Sequence, residues 1–139
     1  MMPRLIPELD VIDLDVSLKI YVDVFGFTVL YDRPEERFVM LGLEGAALML
    51  EEAAGPGRRF RPAPLERPLG RGVNFQIQVS GVDALYQRVI KSGLEIIIPL
   101  EERWYRRGEH ELGNRQFVVA DPDGYLMRFF SDVGSRTKE

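Results

Sequence analysis

The sequence predicts an α+β fold in which a βαβββ module occurs twice. In each half, a strand with alternating apolar residues precedes a stretch of apolar residues at helical spacing. Each helical stretch ends at a glycine, Gly26 or Gly93, and each half closes with a hairpin turn that contains Gly45 or Gly124. A duplicated module is the simplest explanation of this order. The alternative is coincidence between two ordinary βα units.

Module one, residues 4–52, begins with a predicted strand over residues 5–11. Asp13 is a suitable N-cap residue for the helix that follows, and the apolar residues of that helix continue to Phe25. Gly26 suits the left-handed residue that often ends a helix. Three further strands are predicted, with tight turns between them, over residues 27–31, 37–42 and 46–51.

Module two, residues 73–131, repeats this order and begins with a strand over residues 73–79. Ser80 with Asp83 resembles a capping box at the start of a helix. The apolar stripe of that helix runs as far as Ile90. Three further strands are predicted over residues 95–100, 116–120 and 125–130.

The segment between the modules, residues 53–72, contains four proline, four glycine and five arginine residues. This composition does not support regular secondary structure. Two interpretations remain open, a surface linker and a mobile flap over a cleft. The chain of 139 residues fits a single domain, residues 1–139.

Composition excludes several classes of function. The chain has no cysteine, so neither a disulfide framework nor a thiolate site is available. The net charge is −4 and many basic residues lie in the linker, so the acidic remainder disfavours a nucleic-acid partner. That acidity either attracts a cationic ligand or only keeps the protein in solution. No apolar run reaches the roughly 20 residues of a membrane helix and no signal peptide is evident, so we expect no membrane partner and a cytoplasmic location.

Two motifs connect this pattern to a known family. One is the opening of module one, Val11-Ile12-Asp13-Leu14 with Ser17, Tyr21 and Phe25-Gly26-Phe27. The other is the closing turn of module two, Asp121-Pro122-Asp123-Gly124-Tyr125. Outside the linker, the chain resembles the vicinal oxygen chelate superfamily, and within it the bleomycin-resistance-like proteins. The superfamily also contains glyoxalase I, extradiol dioxygenases and fosfomycin-resistance enzymes. The resemblance implies that each module curls its mixed sheet into a half-open cup, that the cups flank a ligand cleft, and that the protein is a homodimer.

Metal-dependent members of the superfamily carry ligands, usually His and Glu, on the first and last strands of each module. The matching positions in this chain are Ile6, Met49, Asn74 and Arg128. Isoleucine has no donor atom, a thioether suits soft ions, an amide carbonyl alone is weak, and a guanidinium repels cations. We therefore expect neither a metal ion nor another cofactor. An all-carboxylate site built from Glu8, Asp10 and Glu51 remains open, against the simpler view that these acids are solvated.

No signature of covalent or acid–base catalysis is evident in the sequence. The only histidine, His110, lies in a polar, turn-like run and is expected to be an exposed surface residue. No serine stands in a nucleophile elbow, and no glycine-rich phosphate loop is present. We therefore expect no catalytic residue.

The remaining signal is a set of side chains suited to binding a small molecule. Trp104 and Tyr105 lie in a strongly charged stretch where no core requires them. Three interpretations of Trp104 stay open: stacking on a planar ligand, anchoring a dimer, or lying over its own sheet under Arg103 or Arg106.

Strand alternation directs further candidates into the cup. Asn74 and Gln76 would supply uncharged donors and acceptors, and Met49 shares their orientation. Phe38 is a second candidate stacking surface, against the alternative that it is ordinary core. Arg128 needs an acidic partner, either an internal one (Glu51, Glu8, Glu101 or Glu102) or the carboxylate or phosphate of a ligand, and the internal pair is favoured.

These observations predict a protein that binds a small organic molecule of the antibiotic type. We expect it to do so without a metal ion and without catalysing a reaction. The alternative is a metal-dependent lyase, isomerase or dioxygenase of the same superfamily. A third class is a protein-interaction module whose cleft has lost its ligand.

Overall fold

The computed structural model describes residues 2–138, which form two α-helices and eight strands. In chain order the elements are β1 (Glu8–Val11), α1 (Leu14–Lys19) continued by a π-helical turn (Ile20–Val24), β2 (Thr28–Arg33), a 3-10 turn (Pro34–Glu36), β3 (Phe38–Leu43), β4 (Ala46–Glu52), β5 (Asn74–Gln78), α2 (Val82–Ser92), β6 (Ile96–Arg107), β7 (His110–Ala120) and β8 (Leu126–Thr137). None of the helices within these residues is long and apolar enough to cross a membrane.

The eight strands form two mixed sheets of identical topology, which confirms the predicted duplication. The strand orders are β1-β4-β3-β2 and β5-β8-β7-β6. In each sheet the first and last strands of the module run parallel and the other neighbours are antiparallel. Even the register repeats, since Glu8 lies opposite Met49 in one sheet and Gln76 opposite Arg128 in the other.

The predicted helix boundaries are confirmed at three of four ends. The Asp13 side chain caps α1 by accepting the backbone N–H groups of Asp15 and Val16, at 3.0 and 3.3 Å. Both Gly26 and Gly93 have positive φ angles, +88° and +79°, a conformation that glycine adopts without steric cost.

The predicted capping box at the start of α2 is wrong. The N-cap residue is Gly81, and no side chain among residues 2–138 caps this helix end. The backbone N–H of Ser80 instead donates to the Glu44 carboxylate, at 3.0 Å, in the β3–β4 turn of module one. A contact between the modules therefore replaces the local one. The apolar stripe of α2 is also narrower than predicted, because Ile90 is 48% exposed.

Strands β6, β7 and β8 are about twice as long as the sequence predicts. They extend beyond the predicted bounds into a three-stranded ribbon over residues 101–107, 110–115 and 131–137. Most side chains of the ribbon are polar, so the regular alternation that marks a half-buried strand is missing. His110 is exposed at its tip, in agreement with the prediction.

One continuous apolar core joins the two modules. It contains the helix-facing side of both sheets together with α1 and α2. The ring centres of Phe25, which follows α1, and Phe129 on β8 lie 5.2 Å apart. The ring of Phe117 on β7 also packs against the ring of Phe129. Leu9 and Val11 of β1 point into this core, as the predicted alternation requires.

The turn between β7 and β8 is held by buried hydrogen bonds that reach module one. The Tyr21 hydroxyl donates to Asp121 Oδ2 at 2.7 Å. Asp121 Oδ1 accepts the backbone N–H groups of Asp123 and Tyr125, both at 2.9 Å. Burial raises the pKa of the Asp121 carboxyl, and the three donors oppose that shift.

Asp123 makes a second connection of the same kind. It is 2% exposed, and its Oδ2 accepts the backbone N–H of Ile12 at 3.0 Å. Its Oδ1 accepts Arg67 Nη2 from the linker at 2.8 Å. The Tyr125 hydroxyl then donates to the Asp10 carbonyl at 2.8 Å. The turn therefore connects module two, the linker and the end of β1.

The linker between β4 and β5 forms neither a helix nor a strand, as predicted. It nevertheless makes specific contacts. Arg59 pairs with Glu51 at 2.8 Å, and Arg61 pairs with Asp10 at 2.9 Å. Leu69, near its end, is buried in the shared core. Ion pairs with module one therefore hold the arginine-rich part of the linker.

Replacing Tyr21 with Phe should lower the free energy of unfolding by about 1–3 kcal/mol, because Asp121 Oδ2 would keep its burial and lose its donor. Urea denaturation measures this change. Tyr86→Phe is the matched control, since within residues 2–138 the half-buried Tyr86 hydroxyl forms no hydrogen bond. An unchanged stability of Tyr21→Phe would show that the network does not hold the joint.

Limited trypsin digestion should cut first at Arg58, which is exposed and lies in the irregular linker. Mass spectrometry of the early fragments identifies the site, and Arg58→Gln should slow the first cut. First cuts within β1–β8 would contradict this prediction.

Candidate ligand-binding site

Each sheet has a second face, opposite the shared core, that we call its cup face. The cup face of module one is largely filled by its own side chains. Phe38, Met40 and Ala47 are buried there, and Ile6 and Met49 pack against them. The Arg33 guanidinium lies 3.9 Å from the centre of the Phe38 ring. Phe38 is 2% exposed, so it belongs to this apolar cluster and offers little surface on which a ligand could stack.

Three acids line the edge of this apolar cluster. Glu51 and Asp10 are paired with the linker residues Arg59 and Arg61. Burial raises the pKa of Glu8, and the nearby Glu51 and Asp10 carboxylates raise it further. The linker arginines therefore neutralise much of the negative charge on the module-one cup face.

The cup face of module two is different, because it contains an open cavity of about 460 Å³. Its lining combines apolar, amide, phenolic and charged side chains, namely Asn74, Ile97, Ile98, Glu101, Arg103, Tyr105, Gln116, Val118, Leu126 and Arg128. Strands β5 to β8 all contribute to it. A concave site with apolar walls and a few convergent polar groups is typical of small-molecule binding.

Gln116 on β7 organises the polar side of this cavity. Its Nε2 donates to Glu101 Oε2 at 2.9 Å and to the Tyr105 hydroxyl oxygen at 2.6 Å. A carboxylate can only accept, so Glu101 fixes the orientation of the amide. Gln116 is 2% exposed, yet its Oε1 has no hydrogen-bond partner within residues 2–138.

Arg128 on β8 is the second residue of the cavity lining that has a buried polar atom without a hydrogen-bond partner among the described residues. Its Nε is buried without a hydrogen-bond partner, and the side chain forms no ion pair within the described residues. The favoured internal pair is therefore wrong. Glu51 is held by Arg59 in the other sheet, while Glu101 accepts Gln116 and Glu102 accepts the Trp104 indole N–H. The cross-strand neighbours of Arg128 are Gln76 and Val118, neither of which is an acid.

The structure separates Trp104 from Tyr105. Adjacent residues of a strand point to opposite faces, so Tyr105 lines the cavity and Trp104 lies on the other face. The Arg136 guanidinium lies 4.1 Å from the centre of the indole ring, and the indole ring lies against Gly113. This resembles the third interpretation of Trp104, with Arg136 in place of Arg103 or Arg106.

The other candidates are divided between neighbouring sites. Asn74 lines the cavity, and it also lines a second space of about 420 Å³ between β4, β5 and the segment before β1, where Gln76 lies. Met49 and Phe38 are in the other sheet. Gln116 was not among the predicted site residues, although a polar side chain at the start of an apolar strand was a usable signal.

The side chains at the four matching positions do not fit a divalent metal ion. Ile6 and Met49 lie in the apolar cluster of module one, while Asn74 and Arg128 lie together in the module-two cavity. Within residues 2–138, no group of three His, Cys, Asp or Glu side chains is placed to hold an ion. Asp10 and Glu51, two members of the alternative carboxylate site, are paired with arginines.

The family model of the glyoxalase/bleomycin resistance protein/dioxygenase superfamily matches residues 8–129. The chain belongs to this superfamily. The resemblance seen in the sequence motifs is thereby confirmed, and the superfamily fold agrees with the duplicated sheets.

The similarity to named relatives extends over nearly the whole chain. Bleomycin resistance proteins from Geobacillus stearothermophilus and Staphylococcus aureus are each 31% identical over 137 residues, which cover 94% of this chain and 97% of the relative. Among solved structures, TioX from Micromonospora sp. ML1 is 25% identical and superposes with a TM-score of 0.70, covering 94% of this chain and 99% of that chain.

Replacing Arg128 with Met should raise the free energy of unfolding by about 1 kcal/mol, because it removes a buried donor that has no partner. Arg115→Met is the control for lost charge. Arg115 pairs with Asp83 on the surface, so its loss should change stability by less than about 1 kcal/mol. Denaturant titration compares the variants, and a marked destabilisation by Arg128→Met would show that its guanidinium supports the fold.

Proposed function

We propose that the protein binds a small organic molecule of the antibiotic type, without a metal ion and without catalysing a reaction. The observation that carries the proposal is the module-two cavity, because two side chains that line it each have a buried polar atom, Gln116 Oε1 and Arg128 Nε, without a hydrogen-bond partner among residues 2–138. Buried polar groups normally have partners, so two such atoms on the wall of one cavity favour a site that a ligand completes. The relatives named bleomycin resistance protein make bleomycin the first ligand to test.

The composition of the site supports binding over catalysis. The cavity lining contains no serine, threonine, lysine or histidine within residues 2–138. A nucleophile paired with a base is the usual requirement for covalent catalysis. The positions that would hold a metal in the enzymes of the family have no suitable donors, which supports metal independence.

A homodimer in the cytoplasm is part of the proposal. Edge strands β2 and β6 both expose apolar side chains, among them Leu30 and Ile97. Exposed apolar edges favour association with another chain, and a second copy is the partner that the family resemblance implies. Such a copy would cover apolar surface next to the cavity, since Ile97 also lines it.

Isothermal titration of bleomycin into the purified protein tests the function. Saturable binding of one or two molecules per dimer, unchanged by a metal chelator, is the expected result.

Elemental analysis of protein purified without chelator separates the proposal from its alternative. We expect no stoichiometric divalent metal. One tightly held ion per chain would instead favour a metal-dependent lyase, isomerase or dioxygenase. Absence of bleomycin binding would remove this ligand.

A further inference from the structure

We propose that the module-two cavity recognises a carboxylate that has a hydrogen-bond donor next to it, as in an N-acylated amino acid. This inference rests on the proposed function, because it assigns the chemistry of the ligand to the same cavity. The charge of the cavity, its unpartnered donors and an acceptor that has no partner among the described residues each support a separate part of the assignment.

The charged groups of the cavity favour a monoanion. Within the described part of the chain, its lining holds Arg103 and Arg128 against a single acid, Glu101. The Glu101 carboxylate is already directed at Gln116 Nε2. The local excess is thus one positive charge, which a carboxylate neutralises and a doubly charged phosphate exceeds.

The open donors favour an acceptor-rich ligand group. Arg128 Nε points a buried N–H at no partner within residues 2–138. The Tyr105 oxygen accepts the Gln116 amide, so the hydroxyl hydrogen of Tyr105 remains free to donate. Two donors from different strands suit the two oxygens of a carboxylate.

The open acceptor specifies what stands beside the carboxylate. Gln116 Oε1 is buried and can only accept, so its complement is an N–H or O–H group of the ligand. Gln116 lies opposite Phe130 on β8, two residues from Arg128, which makes the two side chains diagonal cross-strand neighbours. Such neighbours are about 7–8 Å apart, a span that a carboxylate and the adjacent N–H can fill.

The walls of the cavity indicate the rest of the ligand. Ile97, Ile98, Val118 and Leu126 line the same space, so an apolar substituent can lie beside the acid. N-benzoylglycine combines a carboxylate, an adjacent N–H and a flat apolar ring, and is therefore a suitable probe.

Three probes of equal size test the assignment in the unmodified protein. N-benzoylglycine has both groups, N-benzoylglycinamide lacks the negative charge, and 3-benzoylpropanoate replaces the N–H with a methylene. Titrations followed by backbone amide NMR shifts give affinity and location together. We expect the amide to bind about tenfold more weakly and 3-benzoylpropanoate about fivefold more weakly, with shifts centred on β5 to β8.

Variants test the residues. Arg128→Leu should weaken N-benzoylglycine about tenfold, and Arg115→Leu, which removes the same charge from the other face, should leave it within about twofold. Gln116→Leu should abolish the preference for N-benzoylglycine over 3-benzoylpropanoate. The probe comparison does not depend on these variants, so it still decides the matter if one of them fails to fold.

Equal affinity for the acid and its amide, shifts outside the cavity, or no binding of any probe at about 10 mM would each overturn the carboxylate assignment. Bleomycin binding without acid preference would leave the proposed capture function intact. Acid preference without bleomycin binding would retain the assignment and remove bleomycin as the ligand.

Discussion

The arrangement of the two sheets depends on the buried turn between β7 and β8. Asp121 and Asp123 bring two carboxylates into the interior, where an unpartnered charge costs several kcal/mol. Asp121 Oδ2 needs the Tyr21 hydroxyl, and Asp123 needs the backbone N–H of Ile12 and the linker residue Arg67. Wrong docking of the modules would remove these donors, so the network favours one relative position of the sheets.

The duplicated scaffold serves two different ends. In module one the cup face is closed by Phe38, Met40 and neighbouring apolar residues, and the acids at its edge are neutralised by linker arginines. In module two the equivalent face stays open and carries polar groups between apolar walls. One copy contributes mainly packing, while the other keeps polar atoms unsatisfied, an arrangement that costs stability and is typical of functional sites.

Local sequence chemistry predicted the elements that depend on local contacts. Asp13 caps the start of α1 and Gly26 adopts the positive φ angle after its end. Both roles depend on neighbouring backbone groups, so the sequence was enough to predict them. Ser80 was misassigned because its N–H is taken by Glu44 from the other module. The ribbon was missed because most of its side chains are polar and show no regular apolar alternation.

The candidate site was predictable in part for the same reason. Strand parity placed Asn74 and Arg128 on one face, and the structure brings both to the cavity. Parity could not show which acids lie within reach of Arg128, since this depends on how strands far apart in sequence are arranged. It did require Trp104 and Tyr105 to point apart, a consequence that the grouping of these two aromatic residues overlooked.

The shared core also affects how the chain is made. Tyr21 and Asp121 are 100 residues apart, and a ribosome adds about 5–20 residues per second. The ring of Phe25, which follows α1, therefore waits on the order of 5–20 s for its contact with Phe129. The final closure of the molecule is thus a late, long-range step.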